Sequence, residues 1–147
     1  MISYAPENLP KELNIANYVV FLAGSIEMGT AENWQDEFAN NIDGDDIVIF
    51  NPRRPEWEDF DQDSPEMYEQ INWELSRIEI SNYIVFYFDP DTKSPISLLE
   101  LGLCIGKNKH ILVVCPDGFW KKTNVVETCN RYGIPVYNEL DDLYEIF

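Results

Sequence analysis

Four short runs, at residues 18–23, 47–50, 83–88 and 110–114, constrain this chain more than anything else in it. They are rich in valine, isoleucine and aromatic residues, and they stop at Gly24-Ser25, Asn51-Pro52, Asp89-Pro90-Asp91 and Cys115-Pro116-Asp117-Gly118. A run that is continuously apolar, rather than alternating, and ends at turn-forming residues fits a strand buried on both faces, as in a parallel sheet.

Helical spacing fills the gaps. Trp34 and Phe38 stand four apart in a short helix over 32–41. With Ser64 as N-cap and Pro65 at the first helical position, Met67, Ile71, Leu75 and Ile78 recur every three or four residues in a helix reaching about residue 82. A helix carrying Glu100 closes near Gly106, another is expected over 124–132, a short fifth strand at 134–137 and a terminal helix from Leu140. Repeated strand–helix units imply right-handed crossovers. The expected fold is α/β: a three-layer α/β/α sandwich on a five-stranded parallel sheet, flavodoxin-like in order. The 147 residues fit one domain, 1–147, beginning with an extended segment over 1–17.

In such sheets ligands bind where the carboxyl ends of the strands open into a crevice. Four loops converge there: 24–30, 51–60, 89–97 and 115–124. Glu100 follows the third strand inside an otherwise apolar run, Ser97-Leu98-Leu99-Glu100-Leu101-Gly102, so its helix points the carboxylate back toward that edge. A carboxylate in apolar surroundings costs several kcal/mol unless it is paired or hydrogen-bonded. Glu100 is therefore a candidate nucleophile or general base, with local capping or pairing as the alternative. Gly24 and Ser25 allow close backbone approach and offer donors, although neither a dinucleotide fingerprint nor a phosphate-loop lysine is present. Arg53, beside Asn51, suits a phosphate or a base edge, or else pairs with the acids that follow it. Trp57 and Phe60 can stack on a ring or cover the core edge. Ser94 and Ser97 lie near the amino end of the Glu100 helix, where unpaired amides favour anions and sugar hydroxyls; Ser97 could equally be an ordinary cap.

Other chemistries find little support. His110, the one histidine, opens a strand at the opposite edge. No nucleophile–histidine pair can be assembled, and no cluster has metal-ligand spacing, so neither metal nor cofactor is expected. With 27 acidic and 10 basic residues the net charge is −17, which opposes nucleic acid and anionic membranes as partners. Cys104, Cys115 and Cys129 are odd in number and set among apolar residues, as reduced core thiols would be, so a cytoplasmic location is expected. Residues 1–11 lack the apolar run of a signal peptide or anchor.

Several segments together resemble the nucleoside 2-deoxyribosyltransferase-like family: Phe21-Leu22-Ala23-Gly24-Ser25-Ile26 with Trp34, Asn51-Pro52-Arg53-Arg54 with Trp57, Gln70-Ile71-Asn72-Trp73-Glu74, Pro95-Ile96-Ser97-Leu98-Leu99-Glu100-Leu101-Gly102, and Asn124-Val125. They span about residues 18 to 137, in order. The resemblance implies cleavage of the N-glycosidic bond of a 2'-deoxynucleoside or its monophosphate, with Glu100 attacking the anomeric carbon and a free nucleobase as co-product. It also implies a homo-oligomer in which Asn124 could complete a neighbour's pocket. Members of this type carry an aspartate just before the third strand, where this chain has Asn82, which cannot exchange a proton as an acid does. Asp89, at the other end of that strand, could serve instead. A binding or sequestering module without turnover, or an N-glycoside hydrolase of a monophosphate or signalling nucleotide, are the alternatives. With only Arg53, Arg54, Lys93, Lys121 and Lys122 near the loops, the nucleoside is expected to be preferred over its monophosphate.

Overall fold

The computed structural model describes residues 1–26, 31–42, 44–55, 60–107 and 109–147; Trp57 lies outside them. Its strands are β1 (Ile2–Tyr4), β2 (Tyr18–Gly24), β3 (Ile47–Asn51), β4 (Tyr83–Tyr87), β5 (His110–Val114) and β6 (Val136–Tyr137). The helices are α1 (Trp34–Asn41), α2 (Pro65–Ile80), α3 (Pro95–Ile105) and α4 (Lys122–Arg131), and 3-10 turns occupy Lys11–Asn14 and Leu140–Ile146. All pairings are parallel, in the order β1-β3-β2-β4-β5-β6.

The sheet thus has six strands, not five. The added one, β1, comes from the segment expected to be merely extended, and it pairs Ile2 with Ile49 at the edge beside β3. Three residues are too few for any periodicity to announce a strand. The other five strands keep the flavodoxin-like order. The chain leaves β2 in one direction toward β3 and in the other toward β4, so the crevice opens between the carboxyl ends of β2 and β4, where Gly24 pairs with Tyr87.

Both faces of the sheet are covered. On one, Phe21 and Ala23 of β2 pack with Phe86 of β4, Trp73 and Ile78 of α2, Leu101 and Cys104 of α3, and Val125 and Cys129 of α4. On the other, Val20 and Leu22 meet Trp34 and Phe38 of α1 and Leu140 and Leu143 of the last 3-10 turn. Neighbouring β2 residues therefore serve opposite layers, which is why the run is continuously apolar. Each fully buried aromatic or branched side chain contributes about 1.5–3 kcal/mol. Cys104, Cys115 and Cys129 are free and buried in this core.

Helix α2 departs from the expected apolar stripe. Ser64 caps it by accepting from the Met67 amide, as expected, but Ile71 and Leu75 are exposed and the inward face is Gln70, Trp73, Arg77 and Ile78. Trp73 packs against Phe21 and Phe50, and Arg77 lies over the rings of Phe50 and Trp73 at 5.4 and 5.0 Å while donating to the Glu7 carbonyl. Large amphipathic side chains win this interface because they bury more surface than Ile71 or Leu75 and still satisfy their polar ends. Among the described residues no helix is long and apolar enough to cross a membrane.

Candidate active site

At the β2/β4 crevice, between α2 and α3, lies a cavity of about 270 Å³. Gly24 forms its floor, Met67, Gln70, Ile71 and Glu74 of α2 one wall, and Ser94, Ile96, Ser97 and Glu100 the other. The floor must be glycine: a Cβ at position 24 would stand 2.5 Å from the Tyr87 carbonyl oxygen and 2.7 Å from the Trp34 ring. Trp34 is fixed in turn, its indole N–H donating to the Ser25 carbonyl at 3.1 Å.

The wall that carries Glu100 is anchored by three buried hydroxyls. Ser25, at the end of β2, hydrogen-bonds both Thr92 and Ser94, and Thr92 and Ser94 bond each other at 2.7 Å. The Asp89 amide donates to the Ser25 hydroxyl and the Thr92 hydroxyl to the Asp89 carbonyl, so the β4–α3 connection is laced to β2. Ser94, the residue before α3, takes the left-handed conformation at φ 46°, which costs a non-glycine residue about 1–2 kcal/mol. Such cost concentrates where geometry is held for a purpose. Pro95 then starts α3, and Ser97 and Glu100 follow one turn apart on its inner face.

Glu100 is 8% exposed. Burial, and then the negative charge of Glu74, push its carboxyl up to about 8. Burial raises Glu74 as well, but less freely: the Gln70 amide donates to its Oε1 at 2.8 Å, and the Arg54 guanidinium also favours its ionised form. Two carboxyls in one largely apolar cavity oppose each other's ionisation, and the hydrogen-bond donor and the cation that favour the charged form both act on Glu74.

Of the residues singled out in the sequence, Gly24, Ser94, Ser97 and Glu100 meet at this cavity, with Ser25 directly beneath in the hydroxyl network. The others lie elsewhere. Asn51 and Arg53 line a separate polar cleft with Tyr4 and Asp36, where the Arg53 guanidinium donates to the Ala31 and Glu32 carbonyls. Asp89 is buried but outside the cavity lining, its carboxylate accepting from the Asp91 amide. Asn124 is exposed on the first turn of α4. Asn82 occupies the amino edge of the sheet, bonding the Val19 amide and the Asn17 carbonyl. Five residues of β4 separate it from the carboxyl edge, roughly 16 Å at strand rise, so it does not face the cavity.

Gln70 and Glu74 enter the sequence reading only as the ends of the resembling segment Gln70-Ile71-Asn72-Trp73-Glu74, with no role in the site; a further signal for them is a polar stripe, Gln70, Glu74 and Arg77, at the same helical spacing as the apolar one. Only the packing decided which stripe turned inward.

A family model described as nucleoside 2-deoxyribosyltransferase like matches residues 17–119. Among solved structures, a conserved protein from Enterococcus faecalis V583 superposes with a TM-score of 0.62 at 12% identity, over 86% of this chain and 94% of that one. At that identity the likeness is one of fold. No match was found among curated proteins.

Proposed function

The chain belongs to the nucleoside 2-deoxyribosyltransferase-like family, and on that premise we propose that it cleaves the N-glycosidic bond of a 2'-deoxynucleoside with Glu100 as nucleophile. The observation that carries the reading is a carboxylate pair, buried Glu100 and half-buried Glu74, on opposite walls of an otherwise largely apolar cavity at the switch point of the sheet. A deoxyribosyl group passes through an oxocarbenium-like state, and a carboxylate beneath the anomeric carbon both stabilises that charge and captures it. As the Glu100 carboxylate bonds to C1', the C1'–N bond breaks and its electron pair leaves with the base. The base takes up a proton from the pair, and Glu100 attacks as the carboxylate. The resulting ester is opened by a second base, giving transfer, or by water, giving hydrolysis.

The apolar walls suit a nucleobase, and Ser94 and Ser97 suit the sugar hydroxyls. The described cavity lining contains no cation, and the chain carries a net −17, so the nucleoside is the preferred substrate over its monophosphate. Specificity constants for the two, measured at low and moderate salt, check this. A higher value for the monophosphate would reverse the assignment.

A homo-oligomer has a surface to form on. Helix α3 carries a single charged residue, Glu100, and that one faces inward; its outer side shows Ile96 and Leu99, 59% and 68% exposed, with Leu103 and an open Gly102. Ile71 and Leu75 of α2 extend the patch, and Ile71 and Ile96 also line the cavity. The charges at its ends are already partnered within the chain, Glu69 by Arg54 and Lys107 by Glu79, so the face itself is uncharged and suits a second copy of this chain related by a twofold axis.

The test of the activity is incubation of a deoxynucleoside with a second free base and chromatography of the products. Exchanged nucleoside or released base is expected. Tight nucleotide binding with neither product would instead identify a sequestering module.

A further inference from the structure

Gln70 is a glutamine inside an active-site wall, 3% exposed, with every polar hydrogen used. Its amide oxygen accepts from the Arg54 Nε at 2.8 Å, so the amide cannot turn over without facing donor to donor. Its nitrogen must then point the other way, and its two hydrogens go to the Pro52 carbonyl and to the Glu74 carboxylate, both at 2.8 Å. Arg54 is itself held by Glu69 at 3.3 Å and by the Phe60 ring at 4.9 Å. A donor of fixed direction is thus supplied to one carboxyl of the pair. Among the described residues, Glu100 has no corresponding donor; burial and the charge of Glu74 are what act on it.

We propose that Gln70, locked in orientation by Arg54, is a positioning residue that decides which carboxyl of the pair carries the proton at rest: Glu74 stays ionised and Glu100 carries it. Its catalytic meaning rests on Glu100 being the nucleophile, but the proton's location does not. A hydrogen bond donated to a carboxylate favours the ionised form, and two like charges in one cavity cannot both persist at neutral pH. The other groups around the pair do not alter the order. The β3–α2 connection contributes Arg54, whose charge lies on the Glu74 side. Helix α3 contributes Cys104, a thiol pushed up to about 11 and therefore neutral. The end of β2 and the β4–α3 connection face the cavity with Gly24 and Ser94, which carry no charge. The nucleophile is stored in its neutral form, which spares a largely apolar cavity a second charge, and its proton remains inside the site for the departing base.

The test needs no substrate, so it can fail while the proposed reaction stands, and the reverse. Side-chain carboxyl carbons of glutamate are followed by NMR as a function of pH, with Glu74→Gln and Glu100→Gln supplying the assignments. In the wild-type protein Glu74 is expected to titrate well below Glu100. In Gln70→Leu the Glu74 midpoint rises and the Glu100 midpoint falls, each by about one pH unit, closing the gap. Gln70→Met, which keeps the length of the side chain without its donor and leaves the Arg54 charge in place, shifts both midpoints in the same directions and decides the matter if Gln70→Leu does not fold. Glu100 titrating first in the wild-type protein, or both midpoints unmoved in whichever variants fold, would overturn the proposal.

Discussion

Glu100 is held where the fold would rather have an uncharged residue. In the unfolded chain its carboxyl loses its proton at the ordinary value of 4.5, in the folded protein only at about 8. Between those values the folded state binds the extra proton, so stability falls as pH rises through that window, and the full penalty is present above it. Glu100→Gln removes the titrating group but keeps the shape. The variant should match the wild-type protein near pH 4 and exceed it above pH 8 by on the order of a few kcal/mol. Urea unfolding at the two pH values measures the difference. A variant that is less stable at both would mean that the Glu100 carboxylate is compensated in the fold.

Among the elements, the ends of β2 and β4 carry the site, and Gly24 is where they come too close for a side chain. Gly24→Ala is expected to cost about 1–3 kcal/mol or more, because the obstacle is the Tyr87 backbone and a pinned indole rather than a flexible side chain. Thermal unfolding gives the number. This junction was legible in the sequence: a run broken by Gly24-Ser25 and another broken at Asp89 predict two strand ends at one edge, and Glu100 after them predicts a carboxylate there. Strand β1 was not legible, since pairing with β3 rather than any local pattern makes it a strand. Nor was the inward face of α2, where two stripes of equal spacing competed and Trp73 and Arg77 won through rings and a carbonyl contributed from distant segments. The place of Asn82, by contrast, was legible: it stands just before β4 as His110 opens β5, and in a parallel sheet both positions fall at the amino edge, away from the cavity.

For the whole molecule, the chain carries a net charge of −17 while the outer face of α3 carries none. Leu99→Glu places a charge at its centre without touching the cavity lining; sedimentation is expected to report an assembly for the wild-type chain and a single copy for this variant. An unchanged mass would assign that face to something other than self-association. The central claim, a covalent bond from Glu100 to the sugar, is reached most directly by quenching the protein with acid during turnover of a deoxynucleoside and analysing its peptides by mass spectrometry. The expected result is one deoxyribosyl group on Glu100, absent when Glu100→Ala is treated the same way and accompanied there by a rate loss of several powers of ten. Full activity in Glu100→Ala, or the sugar found on another residue, would contradict it.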